Sequence, residues 1–173
     1  MKIVYLAPHL STGGCPQFIL KRIQSLLAHT EGIEVYVVEY SYHGDAYVVQ
    51  RNAIKQLLGK NFGAHFSTKV EIADYIGLIN PDIIHIDEMS ERLDREMIVS
   101  LYNHNRSYRI IETCHDVSFV PETKIFIPDA FAFCSPYHLD TFASVDGYKQ
   151  VIEYPIEFNF MGWNEKVGAQ SNL

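Results

Sequence analysis

Apolar positions recur along this chain in two rhythms, and the rhythms alternate. The run Lys2-Ile-Val-Tyr-Leu-Ala7 is short, continuous and apolar, as a buried strand is. Pro16 to His29 then spaces its apolar residues as one face of a helix. Ile33 to Tyr40 is a β-branched run and predicts a second strand. Tyr47 to Asn52 predicts a short strand, Ala53 to Leu58 a short helix, and Phe62 to Phe66 another strand. From Thr68 to Asn80, residues Ile72, Tyr75, Ile76 and Ile79 fall on one helical face, and Asn80-Pro81 stops that helix. Asp82 to Ile86 is again strand-like, and Leu93, Met97, Ile98 and Leu101 form another helical stripe. Strands are predicted at Tyr108–Cys114, Ala130–Cys134 and Lys149–Tyr154. Ser135-Pro136 supplies a cap and a first-turn proline for a helix between the last two.

Strands separated by helices of this length imply βαβ units. The fold expected is therefore α/β and Rossmann-like, with a mainly parallel sheet and helices on both faces. Glu157 to Leu173 is rich in Asn, Gly and Gln and has no periodicity, so it reads as a linker or a cut end.

Composition narrows the class. The chain has 173 residues, enough for one sizeable core and too few for two full domains. No apolar run approaches the ~20 residues that span a bilayer, and the start is not that of a signal peptide. A net charge of −7 argues against nucleic acid as a partner and against a polybasic membrane patch. A membrane surface is left open without being indicated. Cys15, Cys114 and Cys134 form no paired motif, which fits a reducing, cytoplasmic setting.

Candidate chemistry begins in the loop after the first strand, Pro8-His-Leu-Ser-Thr-Gly-Gly14. In parallel α/β sheets, ligands bind beyond the carboxyl ends of the strands, where this loop must lie. Gly13 and Gly14 would let backbone approach a ligand, and the following helix would aim N–H groups at an anion. The loop is neither a Gly-x-Gly-x-x-Gly fingerprint nor a Walker loop. His9, Ser11 and Thr12 share its rim. His115 is expected at the end of a strand on the same edge, with Asp116 directly after it. Cys114 is expected to pack inward, because neighbours on a strand point to opposite faces. His85, Asp87 and Glu88 form a second polar group. Successive side chains alternate along an extended chain, so they are not read as metal ligands. Glu88 and Glu91 are instead expected to pair with Arg92 and Arg95 at helical spacing.

Several segments, in order, resemble the N-terminal domain of retaining family 4 glycosyltransferases with the GT-B fold. They are the first strand with Gly13-Gly14 and its helix, Ile33-Glu-Val-Tyr-Val-Val, Asn80-Pro-Asp-Ile-Ile-His-Ile86, Glu112-Thr-Cys-His-Asp116, Phe133-Cys-Ser-Pro-Tyr-His138 and Val151-Ile-Glu-Tyr-Pro-Ile-Glu157. Tyr154-Pro155 stands where that family usually has Asn-Gly.

The resemblance implies that residues 1–157 are a Rossmann-like, acceptor-side domain. Residues 158–173 would lead to a C-terminal donor-binding domain of the same chain. It implies transfer of a sugar from a nucleotide-sugar co-substrate to a glycan or lipid-linked acceptor with retention, without a metal or other cofactor. It places His115 and Asp116 in the catalytic cleft, and Gly13, Gly14, Ser11, Thr12, His9, His85 and Glu88 around donor and acceptor. Two other readings stay open: a stand-alone Rossmann-like nucleotide-binding or regulatory domain, and a GT-B sugar epimerase.

Overall fold

The computed structural model describes residues 1–41, 48–64, 69–88, 93, 95–115, 124–141 and 148–151. Seven strands are described: β1 (Lys2–Ala7), β2 (Glu34–Glu39), β3 (Phe62–Ala64), β4 (Ile83–Asp87), β5 (Arg109–Cys114), β6 (Ala130–Phe133) and β7 (Tyr148–Val151). They form one sheet in the order β3-β2-β1-β4-β5-β6-β7, and every pairing is parallel. Helices α1 (Gly14–His29), α2 (Val49–Leu58), α3 (Lys69–Ile79), α4 (Arg95–Leu101) and α5 (Pro136–Thr141) link the strands, and a short 3-10 turn (Gly59–Asn61) precedes β3.

Strand alternation sorts the core into two layers. Val4, Leu6, Val38, Ile84, Ile86 and Ile110 point to one face, where Ile72, Ile76 and Ile79 of α3 and Met97, Ile98 and Leu101 of α4 cover them. Ile3, Tyr5, Ala7, Val35 and Val37 point to the other, under Phe18, Ile19 and Ile23 of α1 and Ile54 of α2. Burying one such side chain stabilises by roughly 1.5–3 kcal/mol, so these two layers are what hold the helices to the sheet. At the far side Cys114 is buried with Phe131 and Phe133, as the alternation argument expects.

Two elements differ from the sequence pattern. The strand expected over Tyr47 to Asn52 and the helix expected over Ala53 to Leu58 differ from what is seen, and Tyr47 itself lies outside the described residues. From Val49 to Leu58 the chain is a single helix, α2. The β-branched Val48 and Val49 suggest a strand, but Arg51 and Ile54 are the buried residues of this segment, three apart, which only a helix turns to one side. Glu88 is not helical either. It follows β4 with φ of 71°, in the left-handed region, and forms an isolated bridge with Thr113. Residues 91 and 92, its expected helical neighbours, lie outside the described residues, as do 152–173.

The strand order fixes where a ligand can sit. From β1 the chain runs outward one way to β2 and β3, and then crosses back to β4 on the other side of β1. The loops leaving β1 and β4 therefore diverge, and the crevice between their carboxyl ends is the topological switch point of the sheet.

Candidate functional site

Four elements meet at that crevice: the loop after β1, the first turn of α1, the end of β4 and the end of β5. The loop is short and held at its base. Leu10 is buried, and its N–H donates to Glu39 Oε1 at 2.7 Å. Above this anchor Ser11 Oγ lies 2.8 Å from His9 Nδ1, while Thr12, Gly13 and Gly14 are exposed. Gly13 precedes α1 in extended backbone, and no side chain caps the helix. A Cβ on Gly13 would touch only Pro16 Cδ, at an ordinary 3.7 Å. Nothing inside the fold therefore demands glycine at that position.

Beneath the loop lies a buried polar layer. Parallel pairing sets Tyr5 beside His85, and their rings stack with centroids 4.8 Å apart. His85 is fully enclosed and its Nε2 hydrogen-bonds the Thr113 hydroxyl. Burial, and then the nearby positive groups Arg22 and His115, hold its pKa down at about 3, so the ring is neutral. His85 is thus part of the floor of the crevice rather than of its wall.

Asp87, two residues on and on the same face, is also wholly buried. Its Oδ1 accepts from His115 Nε2 at 3.0 Å, and its Oδ2 is buried without a hydrogen-bond partner. Burial pushes the Asp87 carboxyl above the usual range, against the pull of His115 and His9. For His115, burial works against the charged form, but the bond to Asp87, then Cys134 Sγ 3.3 Å from Nδ1, outweigh it and raise the pKa to about 10. The pair therefore holds one proton, between Nε2 and Oδ1, at neutral pH. Phe18 of α1 meets the His115 ring edge-on at 5.1 Å and fixes its plane. Both ring nitrogens face protein groups, which makes His115 a fixed positive charge rather than a freely turning acid or base.

Cys15, in the first turn of α1, comes close to this pair. Its Sγ is 3.9 Å from Glu88 Oε1, and one ligand atom each from Cys15, Asp87 and His115 lie within 4.8 Å of one another. The structure thus brings His9, Glu88 and His115 to one crevice with the glycine loop. Asp116 lies outside the described residues. Sequence reasoning grouped Asp87 with His85 and Glu88 but gave it no role in the site, and gave none to Cys15 or Cys134. The signal for Asp87 was available: His85 and Asp87 are two apart on one strand, so they share a face, and only Glu88 is turned away from them by alternation.

A second buried acid ends β2. Glu39 accepts from Arg51 through both oxygens, at 2.7 Å and 2.6 Å, and the two side chains are 1% and 5% exposed. In a dinucleotide-binding sheet the acid at this position would meet a ribose. Here both oxygens are spent on Arg51 and the Leu10 amide.

The fold is similar to that of solved structures, among them a point mutant of the O-GlcNAc transferase of Thermobaculum terrenum, with a TM-score of 0.54 and 14% identity. The match covers 88% of this chain and 27% of that one, so this chain spans about a quarter of that protein's length. At that identity the likeness is one of fold. Neither a protein-family model nor a curated protein sequence matches the chain. Among the described residues no helix is long and apolar enough to cross a membrane.

Proposed function

We propose that this chain is the acceptor-side half of a glycosyltransferase. Residues 1–157 form the domain, and 158–173 lead to a donor-binding domain of the same protein. The sugar would pass from a nucleotide-sugar donor to a glycan or lipid-linked acceptor in the cleft between the halves, with retention. The observation that supports this most is the buried Asp87–His115 pair at the switch point of a glycosyltransferase-like fold.

Chemistry follows from the pair. When the bond between the sugar and the nucleotide diphosphate breaks, negative charge grows on the departing phosphate. A positive group already fixed and desolvated stabilises that charge without reorganising. His115 is such a group, held protonated by Asp87 and oriented by Phe18 and Cys134. This gives it the electrostatic role, not that of a proton shuttle. The exposed Gly13-Gly14 backbone would close over the sugar or its phosphates, and His9, Ser11, Thr12 and Glu88 would line the rim. Asp116 would face the acceptor.

Against the nucleotide-binding alternative in its dinucleotide form, the acid that would meet a ribose, Glu39, is paired with Arg51. The test is turnover of a panel of nucleotide sugars by the full-length protein and by residues 1–173 alone. We expect transfer by the former, loss of about a hundredfold or more in its His115→Ala variant, and little transfer by the fragment. Equal turnover by the fragment, or a His115→Ala variant as active as the wild type, would overturn the proposal.

A further inference from the structure

We propose that Cys15, Asp87 and His115 form a binding site for a borderline-soft divalent cation, Zn2+ foremost, with one coordination position left for water or an oxygen of a bound ligand. The inference does not rest on the transferase reading and competes with the role given there to His115: the ion would take Nε2 in place of the proton shared with Asp87, which would leave to water together with the Cys15 thiol proton.

Three observations carry it. The first is convergence. Ligand atoms from three separate elements, the first turn of α1, the end of β4 and the end of β5, lie within 4.8 Å of one another. Around a tetrahedral zinc with bonds of about 2.0–2.3 Å, neighbouring ligand atoms stand roughly 3.3–3.7 Å apart. The His115 Nε2 to Asp87 Oδ1 contact is 3.0 Å and no pair exceeds 4.8 Å, so seating the ion needs shifts of about 1 Å. Cys15 is half-buried in an uncapped first turn, the part of a helix most able to make that shift.

The second is the orphan oxygen. Asp87 is 0% exposed, yet its Oδ2 has no hydrogen-bond partner. A buried carboxylate oxygen left unpaired is costly, and a cation held by the Asp87 carboxylate would offset that cost. The third is the outer shell. A histidine that ligates a metal through one nitrogen almost always gives its other N–H to an acceptor, which fixes its tautomer. Here Nδ1 of His115 lies 3.3 Å from Cys134 Sγ while Nε2 points at Asp87. The ring is thus already turned as a ligand, with Phe18 packed edge-on against it.

Donor chemistry selects the ion. One thiolate, one imidazole and one carboxylate suit zinc, and cobalt as its reporter, far better than magnesium or calcium, which take oxygen donors. Three protein ligands are the pattern of an open zinc site. An ion there would also keep positive charge at the base of the crevice.

The probe is Co2+ added to the purified protein, followed by its near-ultraviolet thiolate charge-transfer band and displaced by Zn2+. We expect one Co2+ per chain at micromolar concentration, no displacement by millimolar Mg2+, and displacement by one equivalent of Zn2+. Cys15→Ser, whose fold is checked by far-ultraviolet circular dichroism, should abolish the band and weaken Zn2+ at least tenfold. Asp87→Asn should weaken Zn2+ at least tenfold. Cys134→Ser should keep the band and bind Zn2+ some 10- to 100-fold more weakly, as loss of an outer-shell partner does. Absence of a thiolate band in the wild type, or a band that survives Cys15→Ser and disappears in Cys134→Ser, would overturn the site.

Discussion

Glu39 and Asp87 are two buried acids in nearly the same place, each ending a parallel strand that flanks β1, on the same face of the sheet. They differ in what surrounds them. Glu39 has both oxygens in short bonds, to the Arg51 guanidinium and the Leu10 amide. Asp87 has one oxygen on His115 and one on nothing, and the next residue, Glu88, is forced into the left-handed region. A fully satisfied acid holds a fold together. An unsatisfied one beside strained backbone is a cost that a fold built for stability alone would not carry, and such costs gather at functional sites. The comparison separates a structural acid from a candidate functional one by their partners, not by their depth.

The largest effect should come from breaking the satisfied pair. Arg51→Met leaves Glu39 charged and buried with only the Leu10 amide as partner. We expect a loss of about 3–5 kcal/mol in urea unfolding, with the loop after β1 the first to lose amide protection. Removing both partners with Glu39→Leu and Arg51→Met together should recover much of that, because no unpaired charge remains. A single variant that unfolds at the wild-type urea concentration would mean that Arg51 is not what holds Glu39.

Asp87→Asn should behave in the opposite way. The amide oxygen can still accept from His115, and the orphan oxygen becomes a group that carries no charge. Stability should change by less than about 1 kcal/mol, or rise, since relaxing a functional compromise often stabilises. Transfer by the full-length protein should nonetheless fall by about a hundredfold, because His115 loses the charge that keeps it protonated. If unfolding and turnover fell together by the same proportion, Asp87 would be no different in kind from Glu39.

These contrasts show why the fold was readable and the site only partly so. Local pattern names a strand or a helix, so β1, β2, β4, β5 and β6 and helices α1, α3 and α4 fall where the periodicity puts them, within a few residues. The segment before β3 misleads because tertiary burial of Arg51 under Glu39 overrides the strand preference of two valines. The site is long-range. Cys15 meets Glu88 across 73 positions, His115 meets Asp87 across 28 and Cys134 across 19. Only the register of β4 with β5, Asp87 beside Thr113, brings such residues to one edge. His115 and the glycine loop could be placed at that edge from sequence. The partner of His115 could not, because it depends on that register.

Backbone strain gives a smaller effect at the same place. Glu88 holds φ of 71° without the freedom of glycine. Glu88→Gly should be more stable than Glu88→Ala by about 1 kcal/mol in thermal or urea unfolding, since alanine keeps the strain and glycine relieves it. A gap of zero would remove strain from the list of what distinguishes the Asp87 end of the sheet from the Glu39 end.

The smallest effect sharpens the comparison from outside the crevice. Asp129 sits at the opposite edge, just before β6, and is partly exposed. It accepts from the Ile110 N–H at 2.8 Å and from Arg106 and Arg109 at 2.6 Å and 3.0 Å. Partial burial works to raise its pKa, but the Ile110 amide and the two arginines prevail and lower it. A carboxyl whose folded pKa lies below its unfolded value adds stability above the unfolded pKa, near 4, and loses it as the pH falls through the folded one. Asp129→Asn should therefore cost about 0.2–1 kcal/mol at pH 6, after solvent screening, and that cost should fade below about pH 4. Urea midpoints of the two proteins across this range measure it directly. Curves that converge on acidification would class Asp129 with Glu39, as an acid whose oxygens are answered by the fold. Curves that run parallel would mean that its arginines contribute nothing, and that satisfaction of an acid matters for stability only where water is excluded.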